Sequence, residues 1–145
     1  MMNNANDVQG LRAANDQFYT ALNAMFTGDI SPMDAIWSHG DDISYRGPFG
    51  DNMDGWATVG KQFKEVAGMK IGGRVAYKDL IVRPGKDLGY TVCVEQGENI
   101  ADGKPVMVNH RATNIFRLEH GQWKLVHHHT DVSVQLEKAF SVPGK

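Results

Sequence analysis

The stretch from Arg111 to Asp131 reads RATNIFRLEHGQWKLVHHHTD and contains the pattern that decides the fold. β-Branched and aromatic residues lie on both sides of His120-Gly121, which is typical of two antiparallel strands joined by a hairpin turn. Successive side chains of a strand point to opposite faces, so His128 lies on one face while His127 and His129 share the other. All three histidines cannot bind one metal ion.

The second half of the chain has β character throughout. Turns rich in Gly, Pro, Asn and Asp separate its segments, which predicts an antiparallel and curved meander. The predicted strands are Arg74–Arg83, Leu88–Glu98, Lys104–Glu119 and Gln122–Val134, with a short earlier strand at Asp42–Arg46.

The first half has helical spacing of apolar residues. It predicts a long helix over Asn6–Phe26, a short helix that begins at Ser31-Pro32 and ends near Gly40, and a third helix over Gly55–Ala67. The cluster from Gly47 to Asn52 is predicted as a turn before that third helix. Together the elements predict one α+β domain over residues 1–145, with an ordered core of about 6–135 and helices closing one face of a bent sheet.

Composition excludes several classes of protein. The chain has 145 residues, 41% hydrophobic and 22% charged, with a net charge of −2, which argues against a nucleic acid partner. No segment is apolar enough to span a membrane, and the N-terminus lacks targeting features, so we expect a cytoplasmic protein. The single Cys93 is expected to be a buried, inert thiol.

The hairpin residues also carry a resemblance to a known superfamily. Arg111–Arg117 followed by Gly121–His129 resembles the closing hairpin of SnoaL-like and ketosteroid isomerase-like members of the nuclear transport factor 2-like superfamily. It also resembles the association (hub) domain of the calcium/calmodulin-dependent kinase. The resemblance implies a cystatin-like, cone-shaped fold with a strongly curved antiparallel sheet and three N-terminal helices. It further implies a conical pocket for a small, partly apolar organic ligand. No cofactor is expected.

The resemblance leaves the activity open. Isomerases of this type use an aspartate in an Asp-Pro-x-Gly turn as base, but here the turn reads Gly47-Pro48-Phe49-Gly50, and glycine cannot take a proton. The matching donor position is Asn114. The leading interpretation is a small-molecule-binding protein of unassigned activity, and the alternative is an isomerase, dehydratase or hydrolase of a polyketide- or steroid-like substrate, working by general acid/base catalysis. Its candidate catalytic residues are His128 and Asn114. His39 and Asp42 are a second candidate, as an acid/base dyad.

Aromatic residues supply the expected walls of the pocket. The resemblance to the hub domain implies that Lys124, Val126, His128 and Thr130 face the cavity and that Trp123 lies outside. By parity His110 shares the cavity face with Asn114, unless a β-bulge intervenes. The predicted ligand-binding residues are Tyr19, Trp37, Tyr45, Trp56, Phe63, Tyr90, Asn114 and His128.

The other face of the long strand is also partly apolar. Met107, Thr113 and Ile115 lie there, and an exposed apolar sheet face usually marks a partner surface. We therefore expect a homodimer through the outer sheet face, and a purely oligomerising, hub-like module is a further alternative. No spacing of histidines or carboxylates resembles a recognised metal motif, so no metal is expected.

Overall fold

One six-stranded curved sheet forms the body of the protein, and helices cover its inner face. A computed structural model describes residues 4–140, with side chains from residue 7 onward. The ends of the predicted domain, residues 1–3 and 141–145, lie outside the described residues. The helices are α1 Asn4–Phe26, α2 Ser31–Ile36, α3 Trp56–Met69 and α4 Val134–Ala139. The strands are β1 Ser44–Arg46, β2 Asn52–Asp54, β3 Arg74–Pro84, β4 Leu88–Ala101, β5 Lys104–Glu119 and β6 Gln122–Thr130.

The sheet is mixed, with strand order β2-β1-β6-β5-β4-β3. The three N-terminal helices, the long meander and the α+β class are confirmed, but the prediction of a wholly antiparallel sheet is wrong at one ladder. Strand β1 runs parallel to β6, with Tyr45 beside His128. The chain already runs alongside β6 in this direction after α2, since Trp37 forms a parallel bridge with Leu125.

Two short elements were not predicted from the sequence. The cluster after β1 was expected to be only a turn, yet it leads into β2, which pairs with β1 as a hairpin. The last strand ends at Thr130 rather than Val134, because the chain then begins helix α4. The side chain of Ser133 caps this helix by accepting a hydrogen bond from the backbone N–H of Leu136 at 3.2 Å.

Large side chains fill most of the space between helices and sheet. The largest fully buried ones include Trp37, Phe18, Phe63 and Phe116. Cys93 is also buried, as predicted, and burial raises the pKa of its thiol to about 11. The curved sheet therefore encloses a packed core, and only a small volume stays open.

The sequence predicts no segment that spans a membrane, and the helices can be compared with this prediction. In the part of the chain from residue 4 to residue 140, no helix is both long and apolar enough to cross a bilayer. The cytoplasmic location expected from the sequence stays a prediction.

Candidate functional site

A small cavity lies between the helices and the inner face of the sheet. Its volume is about 30 Å³, which is room for roughly two water molecules. Organic ligands usually occupy pockets of roughly 300 Å³ or more, so side chains largely fill the expected conical pocket in this structure. Leu22, Phe26, Val66 and Leu136 contribute to its apolar wall. The polar lining groups are Tyr45, Gln62, Glu95, Asn99, His110 and His128.

Three adjacent strands bring the central polar groups together. Glu95 on β4 lies directly opposite His110 on β5, and Asn114 on β5 lies directly opposite His128 on β6. Directly opposed side chains on one face of an antiparallel pair are close enough to interact. All four are buried because the alternation of each strand turns them toward the inner face.

Glu95 is a buried carboxylate surrounded by hydrogen-bond donors. Its Oε1 accepts a hydrogen bond from Nε2 of His110, and its Oε2 accepts one from the hydroxyl of Tyr19, each at 2.7 Å. Burial by itself would raise the pKa of Glu95. The bond from His110, the charge interactions with His128 and His110, and the bond from Tyr19 outweigh it and hold this pKa below its usual value. Glu95 is therefore ionised at neutral pH.

The position of the proton on His128 follows from its neighbour. Nδ1 of His128 lies 2.5 Å from Oδ1 of Asn114, and an amide oxygen can only accept, so Nδ1 carries the proton. Asn114 is oriented in turn, because its Nδ2 lies 3.3 Å from both Oδ1 of Asn15 and the hydroxyl of Tyr19. Nε2 of neutral His128 is thus bare, 3.7 Å from Oε2 of Glu95.

Aromatic rings enclose His128 and keep it neutral. The ring centroid of Phe18 lies 4.9 Å away, and Tyr45 stacks on the imidazole at 5.5 Å. Burial lowers the pKa of His128 to about 4, although the charge of Glu95 acts in the opposite direction. At pH 7 this side chain is therefore uncharged, and its Nε2 is a hydrogen-bond acceptor.

His110 presents the second bare nitrogen. A carboxylate only accepts hydrogen bonds, so the Nε2 that contacts Glu95 carries the proton in the neutral ring. Nδ1 is buried and has no hydrogen-bond partner among the described residues. The ring lines the cavity although Nδ1 itself is not exposed to it, so a molecule can satisfy this nitrogen only when the cavity enlarges. A carboxylate–imidazole pair with one unprotonated nitrogen is suited to act as a general base.

The surroundings of Gly47 explain how the site departs from the isomerase pattern. A Cβ at this position would lie 2.6 Å from the hydroxyl of Tyr45 and 2.7 Å from Oδ1 of Asp51, closer than side chains tolerate. Asp51 is itself a buried carboxylate, whose Oδ2 accepts a hydrogen bond from Nε2 of Gln62 at 2.9 Å. Tyr45 and Asp51 therefore occupy the space that an aspartate at position 47 would need.

Several predicted ligand-binding aromatics lie in or near the site. Tyr45 lines the cavity, and Tyr19 reaches the site through its bond to Glu95. Trp37 and Phe63 belong to the core, where each is 1% exposed and their ring centroids lie 5.5 Å apart. These last two support the walls without lining the open volume.

The predicted face is wrong for Tyr90 and for part of β6. Tyr90 is 44% exposed and lies opposite Ile115 on the outer face, so it does not line the cavity. On β6 a bulge at Val126 adds one residue and shifts the alternation. Trp123 consequently faces α1, and Lys124 takes the opposite face.

His39 and Asp42, the alternative candidates for a general base, lie at the protein surface. His39 stacks on Trp56 with ring centroids 4.3 Å apart, and its Nε2 lies 2.7 Å from the carbonyl oxygen of Asp34. Asp42 instead forms a salt bridge with Arg117 at 2.7 Å. Neither His39 nor Asp42 lines the cavity, and Trp56 stays outside it as well.

The outer histidines form a separate pair. Nδ1 of His127 lies 2.6 Å from the hydroxyl of Ser44, and its Nε2 lies 3.3 Å from Nδ1 of His129. Burial, followed by the charges of His129 and Arg46, lowers the pKa of His127. Within the described part of the chain, no group of three or more His, Cys, Asp or Glu side chains is placed to hold a metal ion.

Sequence reasoning missed the two buried carboxylates, Glu95 and Asp51. A signal for Glu95 was present, because it lies two residues after the predicted buried Cys93 and so shares its strand face. No comparable signal marks Asp51, which precedes a strand that was not predicted.

Solved structures from three bacteria share the fold. A proposed dehydratase of the nuclear transport factor 2-like family from Streptomyces avermitilis is 22% identical, with a TM-score of 0.79 over 91% of this chain and 99% of that one. A proposed calcium/calmodulin-dependent protein kinase type II association domain from Thiobacillus denitrificans is 25% identical, with a TM-score of 0.69 over 83% and 93%. A proposed ketosteroid isomerase from Shewanella frigidimarina is 13% identical, with a TM-score of 0.68 over 84% and 94%.

The sequence also identifies the family directly. The family model of the SnoaL-like domain matches residues 11–135, from α1 into the first residues of α4. No functionally curated protein matches the chain. The match covers most of the sequence and includes every residue of the buried network. The chain therefore belongs to the SnoaL-like domain family.

Proposed function

We propose that this protein is a cofactor-independent enzyme that removes water from a small β-hydroxy carbonyl compound, with the Glu95–His110 pair as its general base. The observation that carries the proposal is the buried Nδ1 of His110, which lacks a protein partner and belongs to a ring that lines the cavity. Glu95 fixes the orientation of this ring through the bond to Nε2. The accepting nitrogen is thus positioned before a substrate arrives.

The reaction needs one base that takes a proton from carbon and then gives it to the leaving oxygen. Nδ1 of His110 takes the proton from the carbon next to the carbonyl, and Glu95 stabilises the resulting imidazolium. Burial and the charges of Asp51 and Glu95 raise the pKa of Tyr45 well above its usual value, so Tyr45 keeps its proton and donates a hydrogen bond to the carbonyl oxygen. The bond from carbon to the β-hydroxyl then breaks, and His110 protonates the leaving oxygen. The products are water and an unsaturated carbonyl compound.

The two predicted catalytic residues take different roles in this proposal. His128 accepts a hydrogen bond from a substrate hydroxyl through its bare Nε2. Asn114 holds the proton of His128 on Nδ1 and is therefore a positioning residue.

Dehydration is favoured over the isomerase alternative. The position of the isomerase base is Gly47, whose surroundings exclude a larger side chain. The similar structure from Streptomyces avermitilis, described as a proposed dehydratase, supports the same reaction class.

The test is incubation of the protein in D₂O with a panel of small β-hydroxy ketones, followed by mass spectrometry. Loss of water from a ketone is expected, and His110→Ala should lower its rate by about 10²–10⁴-fold. His129→Ala, on the outer face, is the matched control and should keep the wild-type rate. Deuterium uptake with no loss of water would indicate an isomerase, and equal rates in both variants would remove His110 from the mechanism.

The homodimer predicted from the sequence is part of the proposal. The outer sheet face exposes the neighbouring apolar side chains of Ile81, Leu88 and Tyr90, and such a patch is typical of a partner surface. Similar structures described as kinase association domains support self-association. A purely hub-like role is not favoured, because it would leave the buried Glu95–His110 pair without a function.

A further inference from the structure

Lysine and arginine are absent from the part of the cavity that the structure describes. None of the described lining residues is Lys or Arg. Arg46, Arg111 and Arg117 are instead paired with carboxylates at 3.1, 2.9 and 2.7 Å, and none of the three lines the cavity. The ionised group that lines the cavity is the carboxylate of Glu95.

The histidines do not reverse this charge. His128 is neutral at pH 7, and a protonated His110 would only balance the single charge of Glu95. The cavity is therefore negative or neutral, and a second carboxylate placed beside Glu95 would be repelled at short range in a poorly solvated site.

The hydrogen-bonding groups also restrict the ligand. Nε2 of His128 and Nδ1 of His110 are bare in the neutral rings, so both accept hydrogen bonds. A ligand that reaches them must carry donors, which hydroxyl groups supply and carboxylates do not. The hydroxyl of Tyr45 can donate a hydrogen bond to a carbonyl oxygen on the same molecule.

The apolar wall offers a way for the cavity to enlarge. Leu136 belongs to α4, a helix of six residues. Its anchors include the Ser133 cap, the bond from the N–H of Ser133 to the carbonyl of Pro48 at 2.8 Å, and an edge-on contact of Phe140 with Phe49. A helix of six residues opens at lower free energy than the long strands beneath it.

We infer that this cavity selects neutral, hydroxyl-bearing and partly apolar molecules and excludes carboxylates. The neutral molecules enter when α4 is displaced. The inference rests on the proposed function, because it takes the Glu95–His110 cavity as the substrate site. It narrows the substrate class to hydroxy ketones and related neutral alcohols, and it excludes hydroxy acids.

Three probes of nearly equal shape test this selection: benzyl alcohol, benzamide and benzoate. Each is titrated at pH 7 into the full chain while the imidazole C–H resonances of His110 and His128 are followed by NMR. The two neutral probes should shift these resonances and bind at least about tenfold more tightly than benzoate. Glu95→Gln should reduce that ratio to below about threefold, whereas Asp131→Asn, on the outer face, should preserve it.

The titration can overturn the inference independently of the proposed function. Benzoate binding as tightly as benzamide in the wild type, or no shift with any probe, overturns the inference, and neither result depends on whether the Glu95 variant folds. The failure of the proposed function is recorded separately, because turnover of the β-hydroxy ketone panel does not enter this titration. Selective binding of neutral probes by a protein without dehydratase activity would support the inference and reject the reaction.

Discussion

His127 and His128 are neighbours in the chain, yet they lie in opposite chemical environments. His128 is 2% exposed, held between Phe18 and Tyr45, and has one protonated nitrogen fixed by Asn114. His127 lies on the outer face, where it contacts Ser44 and His129. The comparison shows that strand alternation places two consecutive, identical residues in two different environments.

The same contrast holds for the carboxylates beside the two faces. Glu95 is 3% exposed and contacts His110, Tyr19 and His128. Asp131 pairs with the exposed Arg111 at 2.9 Å. A buried carboxylate requires partners because its charge is poorly solvated, whereas an exposed one is solvated by water. We therefore expect changes on the inner face to have large effects and matched changes on the outer face to have small ones.

The largest effect on stability should come from Glu95→Ala. This change leaves the buried Tyr19 hydroxyl and His110 Nε2 without their acceptor, so the free energy of unfolding should fall by about 3–5 kcal/mol. Asp131→Ala removes an exposed ion pair and should change little. Urea denaturation at pH 7 measures both variants. Equal losses would mean that burial does not separate the two carboxylates.

The next effect concerns the pH dependence of stability. The folded pKa of His128 is about 4, below the value of about 6.5 expected in the unfolded chain. The unfolded state therefore binds more protons between these values, so stability is lost as the pH falls. Between pH 7 and pH 5 the free energy of unfolding should drop by about 2 kcal/mol from this residue.

Two variants isolate the contribution of His128. His128→Gln should flatten the dependence of the urea midpoint on pH over this range. His129→Gln should keep it, apart from the smaller contribution of His127. A slope that survives in His128→Gln would assign the titration to another group.

The smallest effect on folding should come from the outer face itself. Ile115→Lys places a charge in the proposed dimer surface and should give monomers in native mass spectrometry, with the thermal midpoint of the monomer close to that of the wild type. Met69→Lys, a change at a position 40% exposed on α3, is the control and should keep the wild-type assembly. A dimer that persists in Ile115→Lys would place the interface elsewhere.

Strand alternation explains why much of the site could be predicted from the sequence. A period of two along the long strand places His110 and Asn114 on the inner face, and the same rule separates His128 from its neighbours. Helical spacing likewise predicted the two long N-terminal helices, because their buried faces repeat over several turns, and Ser31-Pro32 marked the start of the short one between them.

The parts that could not be predicted depend on contacts between distant segments. The parallel pairing of β1 with β6 and the bulge at Val126 arise from how strands fit together in space, and neither leaves a local pattern. Parity with Cys93 places Glu95 on the inner face, but its pairing with His110 depends on the register between β4 and β5. A charged residue within a strand is more often solvated, so burial had to be seen before its role could be inferred.

The most direct test of this account is the tautomeric state of the inner histidines, measured from their imidazole ¹⁵N chemical shifts at pH 8. We predict opposite tautomers: His128 carries its proton on Nδ1 because of Asn114, and His110 carries its proton on Nε2 because of Glu95. The exposed His129 should show the averaged shifts of a ring that exchanges between tautomers. If His110 carried its proton on Nδ1, or showed averaged shifts like His129, no fixed base would face the cavity and the account would be contradicted.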